Sequence, residues 1–405
     1  MPVRLLCLCL CCCLAAASIP VSAESPVFSF VESHEPDAGA RPAPADPANH
    51  EDRKEEALAL FRSSRLYGAA LIVTRNGQPL LRAAYGLRDH QGNPVTLDTR
   101  FRSASVTKLA AAMGLMTLYD EGRFDLDAPL TAILPFRAVN PQYPEIPVTP
   151  RQTLSHTSSV ISATRYHPNW EILPKENRYF RPDTEPGSEY HYANLNGGLT
   201  GSMIEALSAQ SLNTFMTERL FGPLGIDAAF NAGLLRDQTD ISEMILPDGQ
   251  KHASVKKQIN TIRDYNDTCD PRKNTDVSVG SLYISAEGLS RIAQMLAAGG
   301  VWEGRRILKE ETVRLMERDQ SSLPGSSVRC ESPYGLGMAR VTDVGAHPWY
   351  GHQGRYLGLV SNLYYQPDTG LTFAFIATGY DGVSENGLSN LSRKLLAWVE
   401  GAFSK

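Results

Sequence analysis

A serine and a lysine three positions apart form the first candidate reactive pair of the chain. Ser105 and Lys108 share one face if their segment is helical, because residues i and i+3 are neighbours on a helix. A lysine that loses its proton through burial can accept the proton of a serine hydroxyl, and the N–H groups that open a helix suit an oxyanion. The pair therefore predicts a nucleophilic serine, although Ser-x-x-Lys is common by chance and recurs at Ser254 and Lys257 in a polar stretch.

Tyr192 and Asn194 form a second candidate group, the only Tyr-x-Asn of the chain, at the start of a helical pattern. A tyrosine near a lysine can relay protons, and an asparagine side chain can both donate to and accept from a substrate amide. Without further context, the same two residues are typical of a packing residue and a helix N-cap.

His352 and Gly354 form a third candidate group, a His-x-Gly ahead of a predicted strand. A small residue at the edge of a strand lets a substrate backbone approach closely. The alternative interpretation of His352 is a histidine in a surface loop. His-Gln-Gly also occurs at His90, where the neighbouring residues predict a turn.

The order of these three motifs resembles a known family. A Ser-x-x-Lys that opens a helix, a Tyr-x-Asn about 85 residues later and a His-x-Gly near a C-terminal strand are similar to the class C β-lactamase-like superfamily of penicillin-recognising serine hydrolases. This superfamily includes D-Ala-D-Ala carboxypeptidases, D-aminopeptidases and some esterases. The resemblance covers about residues 60–400, and further similar stretches follow in family order: 101–104, 119–122, 125–130, 154–158, 221–226 and 280–289.

The resemblance implies a covalent route through an acyl-enzyme. Ser105 would attack a substrate carbonyl, and Lys108 and Tyr192 would share the role of base. Asn194 would orient the substrate amide. The oxyanion would lie between the backbone N–H groups of Ser105 and Arg355, the residue that follows the third motif. Water would then release the acyl group, and the base for that step stays open.

Two residues depart from the family pattern. Class C β-lactamases usually have Lys-Thr-Gly at the third motif, so His352 is more similar to the carboxypeptidase, D-aminopeptidase and esterase branches. The family often has a small or hydroxyl residue in place of Arg355, which could narrow the site or pair with a substrate carboxylate in bidentate fashion. His156 lies in another similar stretch, and there the resemblance implies a structural role in a loop near the site.

Hydrophobic periodicity predicts the elements that must position these residues. Asn76-Gly77 between two apolar runs predicts a β-hairpin, and helical spacing from Leu109 to Tyr119 predicts the helix that follows Ser105. Further helices are predicted near 51–65, 194–208, 212–221, 286–298 and 388–399, and strands at 357–365 and 371–379. Terminal elements that pair around a mainly helical insertion, about 123–280, predict a mixed α/β (α+β) fold with an antiparallel sheet flanked by helices.

The first segment of the chain predicts export. Residues 1–23 carry one charged residue, a short apolar run and the small-residue ending Val21-Ser22-Ala23, which is typical of a secretory signal peptide. A lipid anchor on Cys13 is the poorer alternative, because Cys12 rather than a small residue precedes it. Residues 24–56 form an acidic, Pro- and Ala-rich spacer with the start of the first helix, and 57–405 form the predicted catalytic domain. We therefore expect a periplasmic or extracellular protein.

Removal of residues 1–23 leaves two of the seven cysteines, Cys269 and Cys330. In an exported chain these two cysteines predict one disulfide. On the chain-entropy model, a closed loop of about 60 residues would stabilise the fold by about 4 kcal/mol.

The charge distribution limits the classes of partner. The net charge is −5 for 405 residues, and residues 24–56 alone carry nine acids against three bases, so the remaining body is balanced. This balance excludes a basic nucleic-acid binder. The sequence has no second long apolar run, so an integral membrane protein is not predicted. The nine histidines show no metal-ligand spacing, so neither a metal nor a cofactor is predicted.

The leading hypothesis is an exported serine hydrolase that forms an acyl-enzyme, of the D-Ala-D-Ala carboxypeptidase or D-peptidase type. Its substrate would be a small molecule or a peptide, such as a peptidoglycan-derived peptide, an ester or a β-lactam. The alternatives are a carboxylesterase or a class C-like β-lactamase on the same scaffold, and a penicillin-binding sensor that is acylated without turnover, because a fold does not determine its substrate.

Overall fold

The computed structural model describes residues 47–162, 169–170, 179–260, 267–320, 333–385 and 387–403. Its strands are β1 (Gly68–Arg75), β2 (Gln78–Gly86), β3 (Phe101–Arg102), β4 (Met244–Ile245), β5 (Lys251–Ala253), β6 (Tyr283–Ile284), β7 (Val301–Trp302), β8 (Arg305–Arg306), β9 (Ala339–Val341), β10 (Trp349–Tyr356), β11 (Leu359–Tyr365), β12 (Leu371–Thr378), β13 (Ser384–Glu385) and β14 (Leu388–Ser389). Its helices are α1 (Pro47–Ser63), α2 (Val106–Asp120), α3 (Pro150–Leu154), α4 (Asn194–Ser208), α5 (Leu212–Met216), α6 (Val255–Asn260), α7 (Val277–Gly280), α8 (Ala286–Ala297), α9 (Glu310–Glu317) and α10 (Asn390–Phe403).

A large antiparallel sheet forms the centre of the molecule. Within the described ranges it has six strands in the order β2-β1-β12-β11-β10-β9. The first hairpin and the last strands of the chain meet in this sheet, where β1 pairs with β12 from Gly68 opposite Thr378 to Arg75 opposite Leu371. The mixed α/β fold with an antiparallel sheet and flanking helices, which the sequence predicts, is confirmed.

The turn between β1 and β2 is the one that the Asn-Gly sequence predicts. Asn76 and Gly77 have φ angles of 47° and 78°, and a type I′ turn requires positive φ at both central residues. Arg75 and Gln78 pair directly across this turn. The hairpin therefore forms from local chemistry, and it supplies one edge of the sheet.

The alternating side chains of β1 pack on both faces of the sheet. Ala69, Leu71 and Val73 belong to a hydrophobic core that includes residues of α1 and α10. Ala70 and Ile72 belong to a second core, which includes residues of α2, α4 and α8. Because successive strand residues point to opposite faces, a continuous apolar run is buried on both sides. The sheet is the middle layer of three.

Helix α2 is buried along most of its length. All of its residues from Val106 to Leu118 are buried, and the small alanines and Gly114 in this run allow neighbouring elements to approach. Just beyond the helix, Gly122 adopts a φ of 70°, the left-handed conformation that commonly ends a helix and favours glycine. The helix that the spacing from Leu109 to Tyr119 predicts is thus confirmed.

The strand predicted at 357–365 is confirmed over Leu359–Tyr365, but the structure corrects its start and the interpretation of the residues before it. The strand predicted from Leu357 begins at Leu359, because Leu357 and Gly358 form a turn with φ angles of 43° and 83°. A strand that the sequence did not predict, β10, precedes this turn and contains His352. His352 is 4% exposed, so its interpretation as a surface-loop histidine is also wrong.

Some sequence predictions concern residues outside the described ranges. The signal peptide at 1–23, most of the spacer at 24–56 and Cys330 all lie there, so cleavage after Ala23 and the Cys269–Cys330 bridge stay predictions. Helix α1 begins at Pro47, a few residues before its predicted start. In the part of the chain that the structure describes, no helix is long and apolar enough to cross a membrane.

A buried carboxyl group makes the stability of the helical layer depend on pH. Glu205 on α4 is 1% exposed, and its Oε1 atom accepts a hydrogen bond of 3.0 Å from the N–H of Leu212, at the start of α5. Burial raises the pKa of Glu205 from 4.5 to about 7. The group therefore contributes stability that is complete below pH 4.5 and is lost as the pH rises through about 7.

We expect Glu205→Gln to stabilise the protein at pH 8 and to leave it nearly unchanged at pH 5. Glutamine keeps an acceptor for Leu212 but carries no buried charge, so the melting temperature should rise by about 2 °C at pH 8. Thermal unfolding at both pH values measures this difference. Glu218→Gln, at an exposed glutamate, is the control and should show no such dependence. Equal shifts at pH 5 and pH 8 would contradict the assignment.

Candidate active site

A strained turn presents Ser105 at the start of α2. The chain enters this turn from β3, which pairs with β6, and the N–H of Ser103 donates to the Leu282 carbonyl at 2.7 Å. Ala104 has a φ of 46°, a left-handed conformation that costs a residue with a Cβ atom roughly 1 kcal/mol. Ser105 then returns to a φ of −68° as the N-cap of α2. Its side chain is partly exposed, as a nucleophile must be.

Lys108 lies directly beneath Ser105. Its Nζ atom donates to Ser105 Oγ at 3.0 Å and to the carbonyl of Val279 at 2.7 Å. The residue is 4% exposed. Helix α4 approaches closely because it has Gly197 at this point, where an added Cβ atom would lie 3.1 Å from Lys108 Cγ. The two residues of the first motif are therefore in direct contact, as the helical spacing predicts.

The burial of Lys108 changes its protonation. Removal from water lowers the pKa of Lys108 from 10.5 to about 7, because a low dielectric disfavours the charged amine. Near neutral pH a large fraction of the side chain is therefore the neutral amine. A neutral amine within hydrogen-bond distance of a serine hydroxyl can accept its proton, which is the chemistry of an activated nucleophile.

The second Ser-x-x-Lys of the sequence lacks this arrangement. Ser254 precedes α6, and its Oγ atom accepts a hydrogen bond of 3.2 Å from the backbone N–H of Lys257. This is the contact of a helix N-cap. Lys257 itself is exposed, so its amine is not enclosed by the protein as that of Lys108 is. The same motif is thus a cap at one place and a reactive pair at the other.

A cavity lies over Ser105. Its volume is about 520 Å³, within the range of roughly 300–1,000 Å³ that is common for small-molecule sites. Of the residues singled out in the sequence, Ser105, Tyr192, His352 and Arg355 line it. Further tyrosines and aliphatic side chains make its wall largely apolar, and they include Tyr190, Tyr334, Tyr364, Val341 and Leu388.

A buried histidine positions Tyr192 beside Lys108. The Tyr192 ring centroid lies 5.3 Å from Lys108 Nζ and 4.3 Å from the His156 ring centroid. His156 also binds the backbone on both sides of Tyr192: His191 N donates to its carbonyl at 2.8 Å, and Ala193 N donates to its Nδ1 atom at 3.2 Å. Burial lowers the pKa of His156 well below its usual range, so the ring is neutral. These contacts match the structural role that the resemblance implies.

Asn194 is the first residue of α4. Its backbone N–H donates to Ser162 Oγ at 2.8 Å, and its side chain is partly exposed. It is not among the residues that line the cavity over Ser105. The structure thus places Asn194 two residues after Tyr192 at a helix start, and its contact with a substrate amide stays a prediction.

Gly354 brings strand β10 against the turn that contains Ser105. An added Cβ atom at this position would lie 2.2 Å from the Ser103 carbonyl oxygen and 2.9 Å from the Ser105 nitrogen. The Oγ atom of Ser361, on the neighbouring strand, also binds the Ser103 carbonyl. Beyond Gly351, β10 has no pairing with β9, so its edge near Ser105 has no neighbouring strand within the described residues.

His352 is a neutral hydrogen-bonding group within β10. Its Nδ1 atom lies 2.6 Å from the Gln353 carbonyl oxygen and its Nε2 atom lies 3.0 Å from the Tyr334 hydroxyl. Because a carbonyl only accepts, Nδ1 carries the proton and Nε2 accepts from Tyr334. Burial, with a smaller effect of Lys108, lowers the pKa of His352 to about 3. The third motif therefore presents no positive charge at neutral pH.

The guanidinium of Arg355 is already bound to other parts of the protein and is not free to pair with a substrate carboxylate. Its guanidinium donates to Ser384 Oγ and to the Gly382 carbonyl, and its Cζ atom lies 5.5 Å from the Tyr380 ring centroid. A bidentate pair with a substrate would break these contacts. The sequence left two roles open for Arg355, pairing with a substrate carboxylate or narrowing of the site. The geometry favours the second role.

Several residues that contribute to the site could not be inferred from the motifs. Four residues from distant parts of the chain contact the motif residues or their neighbours: Val279 through its carbonyl, His156, Gly197 and Tyr334. For Val279 and His156 the signal was present, because both belong to or adjoin stretches that resemble the family. Tyr334 and Gly197 carried no signal that a single sequence reveals.

Gly354→Ala should slow covalent labelling of Ser105 by a fluorophosphonate about 100-fold. The added methyl group would force β10 away from Ser103 and Ser105, and a misplacement of about 1 Å at a reactive centre has an effect of this size. Labelling rates followed by intact mass measure it. Gly401→Ala on α10 is the control, because in the described part of the chain no other segment lies within 4 Å of its added Cβ. Equal labelling rates in the two variants would contradict the proposed approach of β10.

Comparison with known proteins shows which family this chain resembles. A family model described as Beta-lactamase matches residues 48–396. Penicillin-binding protein 4 of Amycolatopsis lactamdurans is 27% identical over 365 residues, which cover 88% of this chain and 91% of that protein. Esterase EstB of Burkholderia gladioli is 45% identical over 102 residues, 25% of this chain and 26% of the esterase.

Solved structures agree with this match. The crystal structure of SurE with D-Leu has a TM-score of 0.66 at 26% identity and covers 88% of this chain and 75% of its own. A class C beta-lactamase has a TM-score of 0.70 over 91% of this chain and 99% of its own, and at 15% identity it shows the fold alone. Because the family model spans the chain from its first helix to its last, this protein belongs to the beta-lactamase family, a family of serine hydrolases with the penicillin-binding-protein fold.

Proposed function

We propose that this protein is an exported serine hydrolase that forms an acyl-enzyme on Ser105. The observation that carries the proposal is the buried Lys108 amine, 3.0 Å from Ser105 Oγ and with a pKa of about 7. Export is proposed from residues 1–23 alone, and a mature protein that begins at Glu24 would support it.

In the proposed reaction, neutral Lys108 accepts the Ser105 proton as Oγ attacks the substrate carbonyl carbon. The negative charge on the carbonyl oxygen is stabilised by backbone N–H groups at Ser105 and Arg355. The bond to the leaving amine or alcohol then breaks, and this group takes a proton from Lys108 through Tyr192. Water attacks the ester on Ser105, which releases the acid and restores the hydroxyl.

The proposed substrate is an amide bond of a D-amino-acid peptide with a free carboxylate. Support comes from a relative whose name is penicillin-binding protein and from the structure of SurE with D-Leu. Support also comes from the cavity wall, which includes two arginines and no described acid. Arg340 is the candidate cation for the carboxylate, because it lines the cavity, whereas Arg355 is bound to the 382–384 segment.

A carboxylesterase is the second candidate function, and one observation favours it. His352 is neutral, so the third motif lacks the fixed charge that a lysine would supply to a substrate carboxylate. An ester without a carboxylate does not need that charge. The stretch of 45% identity with esterase EstB supports the same candidate. A β-lactamase and an acylated sensor without turnover remain the other outcomes of the experiments below.

We expect labelling of Ser105 by a fluorophosphonate to become faster as the pH rises and to level off above about 7. The neutral amine is the active form of Lys108, so the rate should fall about tenfold per pH unit below this value. Intact mass from pH 5 to pH 9 measures the profile. Ser105→Ala should abolish labelling, whereas Ser254→Ala removes the serine of the second Ser-x-x-Lys and should change nothing. A profile without a midpoint near 7 would contradict Lys108 as the base.

A panel of substrates separates the candidate functions. We expect hydrolysis of a peptide that ends in D-Ala-D-Ala with a free carboxylate, and a roughly tenfold rise of its KM in Arg340→Gln because an ion pair is lost. The KM for p-nitrophenyl acetate, which has no carboxylate, should not change. Hydrolysis of esters with no activity on the peptide would favour the carboxylesterase. A β-lactam adduct that persists for hours without peptide hydrolysis would favour the sensor.

A further inference from the structure

A two-stranded ribbon forms one wall of the cavity over Ser105. This ribbon, made of β13 and β14, pairs Ser384 with Ser389 and is separate from the six-stranded sheet in the described part of the chain. Ser384, Gly387 and Leu388 line the cavity. The ribbon therefore limits the space available to a substrate on this side of the site.

The ribbon has little hydrophobic support of its own. Leu388 is 1% exposed, but Val383, just before β13, is 72% exposed, and both residues of β13 are exposed. An isolated two-stranded ribbon is at best marginally stable in water. Its position must therefore depend on contacts with the rest of the molecule.

Two side chains of β10 supply those contacts. Gln353 uses both ends of its amide: Nε2 donates to the Gly387 carbonyl at 3.2 Å, and Oε1 accepts from Ser389 N at 2.7 Å. Arg355, two residues further along the strand, binds Ser384 Oγ and the Gly382 carbonyl. Residues i and i+2 of a strand share a face. Gln353 thus holds β14, and Arg355 holds β13 and the residues before it.

Arg355 is held in turn by an aromatic ring. Its Cζ atom lies 5.5 Å from the Tyr380 ring centroid, and the Tyr380 hydroxyl binds Asn390 at the start of α10. Both ends of the ribbon are thereby connected to buried elements, β12 on one side and α10 on the other. The guanidinium thus links β10 of the six-stranded sheet to residues 382–384, which lie outside that sheet.

We propose that Arg355 is a specificity-determining positioning residue, which holds the β13–β14 ribbon against β10 and thereby restricts Ser105 to substrates that are small on this side. This inference rests on the proposed acyl-enzyme chemistry of Ser105. It replaces a role in binding a substrate carboxylate with a role in setting the size of the cavity. The guanidinium acts through the ribbon, whereas the role proposed for Arg355 in the oxyanion site belongs to its backbone N–H group.

The test compares substrate size in Arg355→Ala, Arg355→Lys and Ser384→Ala. One series of p-nitrophenyl esters runs from acetate to octanoate, and a second series varies the alcohol of an acetate ester. In Arg355→Ala we expect the ratio of kcat/KM for the largest over the smallest substrate to rise at least tenfold in one series. Ser384→Ala should give a smaller change in the same direction, and Arg355→Lys should restore part of the selectivity.

Arg393→Ala is the matched control for these variants. Arg393 lies on α10, pairs with Asp343 at 2.9 Å and does not line the cavity. Its removal should leave the selectivity unchanged. An unchanged ratio in both series for Arg355→Ala would overturn the proposal. A loss of kcat/KM that is equal for all substrates, or confined to those with a carboxylate, would overturn it as well.

Hydrogen exchange provides a readout that does not depend on turnover. The N–H groups of Ser389 and Asn390 bind Gln353 Oε1 and the Val383 carbonyl, so both should exchange faster in Arg355→Ala and Ser384→Ala. Unchanged exchange would overturn the proposal even if no substrate were hydrolysed. Fluorophosphonate labelling in the same variants identifies the other failure: no labelling of Ser105 in any of them refutes the proposed function itself.

Discussion

The contact between the Lys108 amine and the Ser105 hydroxyl is the interaction on which the rest of the site depends. A lysine in water would be protonated at neutral pH and could accept nothing from a serine. Burial beneath α4 and beside the Val279 carbonyl lowers its pKa to about 7, and the same burial fixes its amine 3.0 Å from Ser105 Oγ. The burial of Lys108 thus determines both the position of its amine and its protonation state.

The architecture of the molecule supports that contact from two sides. The sheet holds β10, whose Gly354 lies against the Ser103–Ser105 turn, and the helical layer holds α4, whose Gly197 lies against the stem of Lys108. At both positions the absence of a side chain lets backbone approach the reactive pair. The reactive pair is therefore closely enclosed on both sides, and Ser105 lines the cavity.

The site contains ionisable groups that burial keeps neutral. His156 and His352 have lowered pKa values, and Tyr334 has a raised one. These neutral groups serve as fixed donors and acceptors that orient Tyr192 and β10. Positive charge at the cavity then comes from its arginines, one of which is engaged by the β13–β14 ribbon. The chemistry of the third motif differs in this respect from one with a lysine.

The sequence by itself determined the features that depend on neighbouring residues. Asn76-Gly77 between two apolar runs predicted a hairpin, and the spacing of Ser105 and Lys108 predicted that they share one face of a helix. Spacing alone could not separate this pair from Ser254 and Lys257, and the order of all three motifs was needed to assign the nucleophile to Ser105. The sequence also missed β10, since the Leu357–Gly358 turn has no typical turn sequence.

Only the tertiary structure decided the protonation of Lys108, the orientation of the side chains around it and the size of the cavity. Lys108 and Val279 are separated by 171 residues, and Gln353 and Ser389 by 36. The pKa of a buried group depends on everything that excludes water from it, and the position of a cavity wall depends on the side chains that bind it. No local pattern contains such information, because it arises when distant segments pack together.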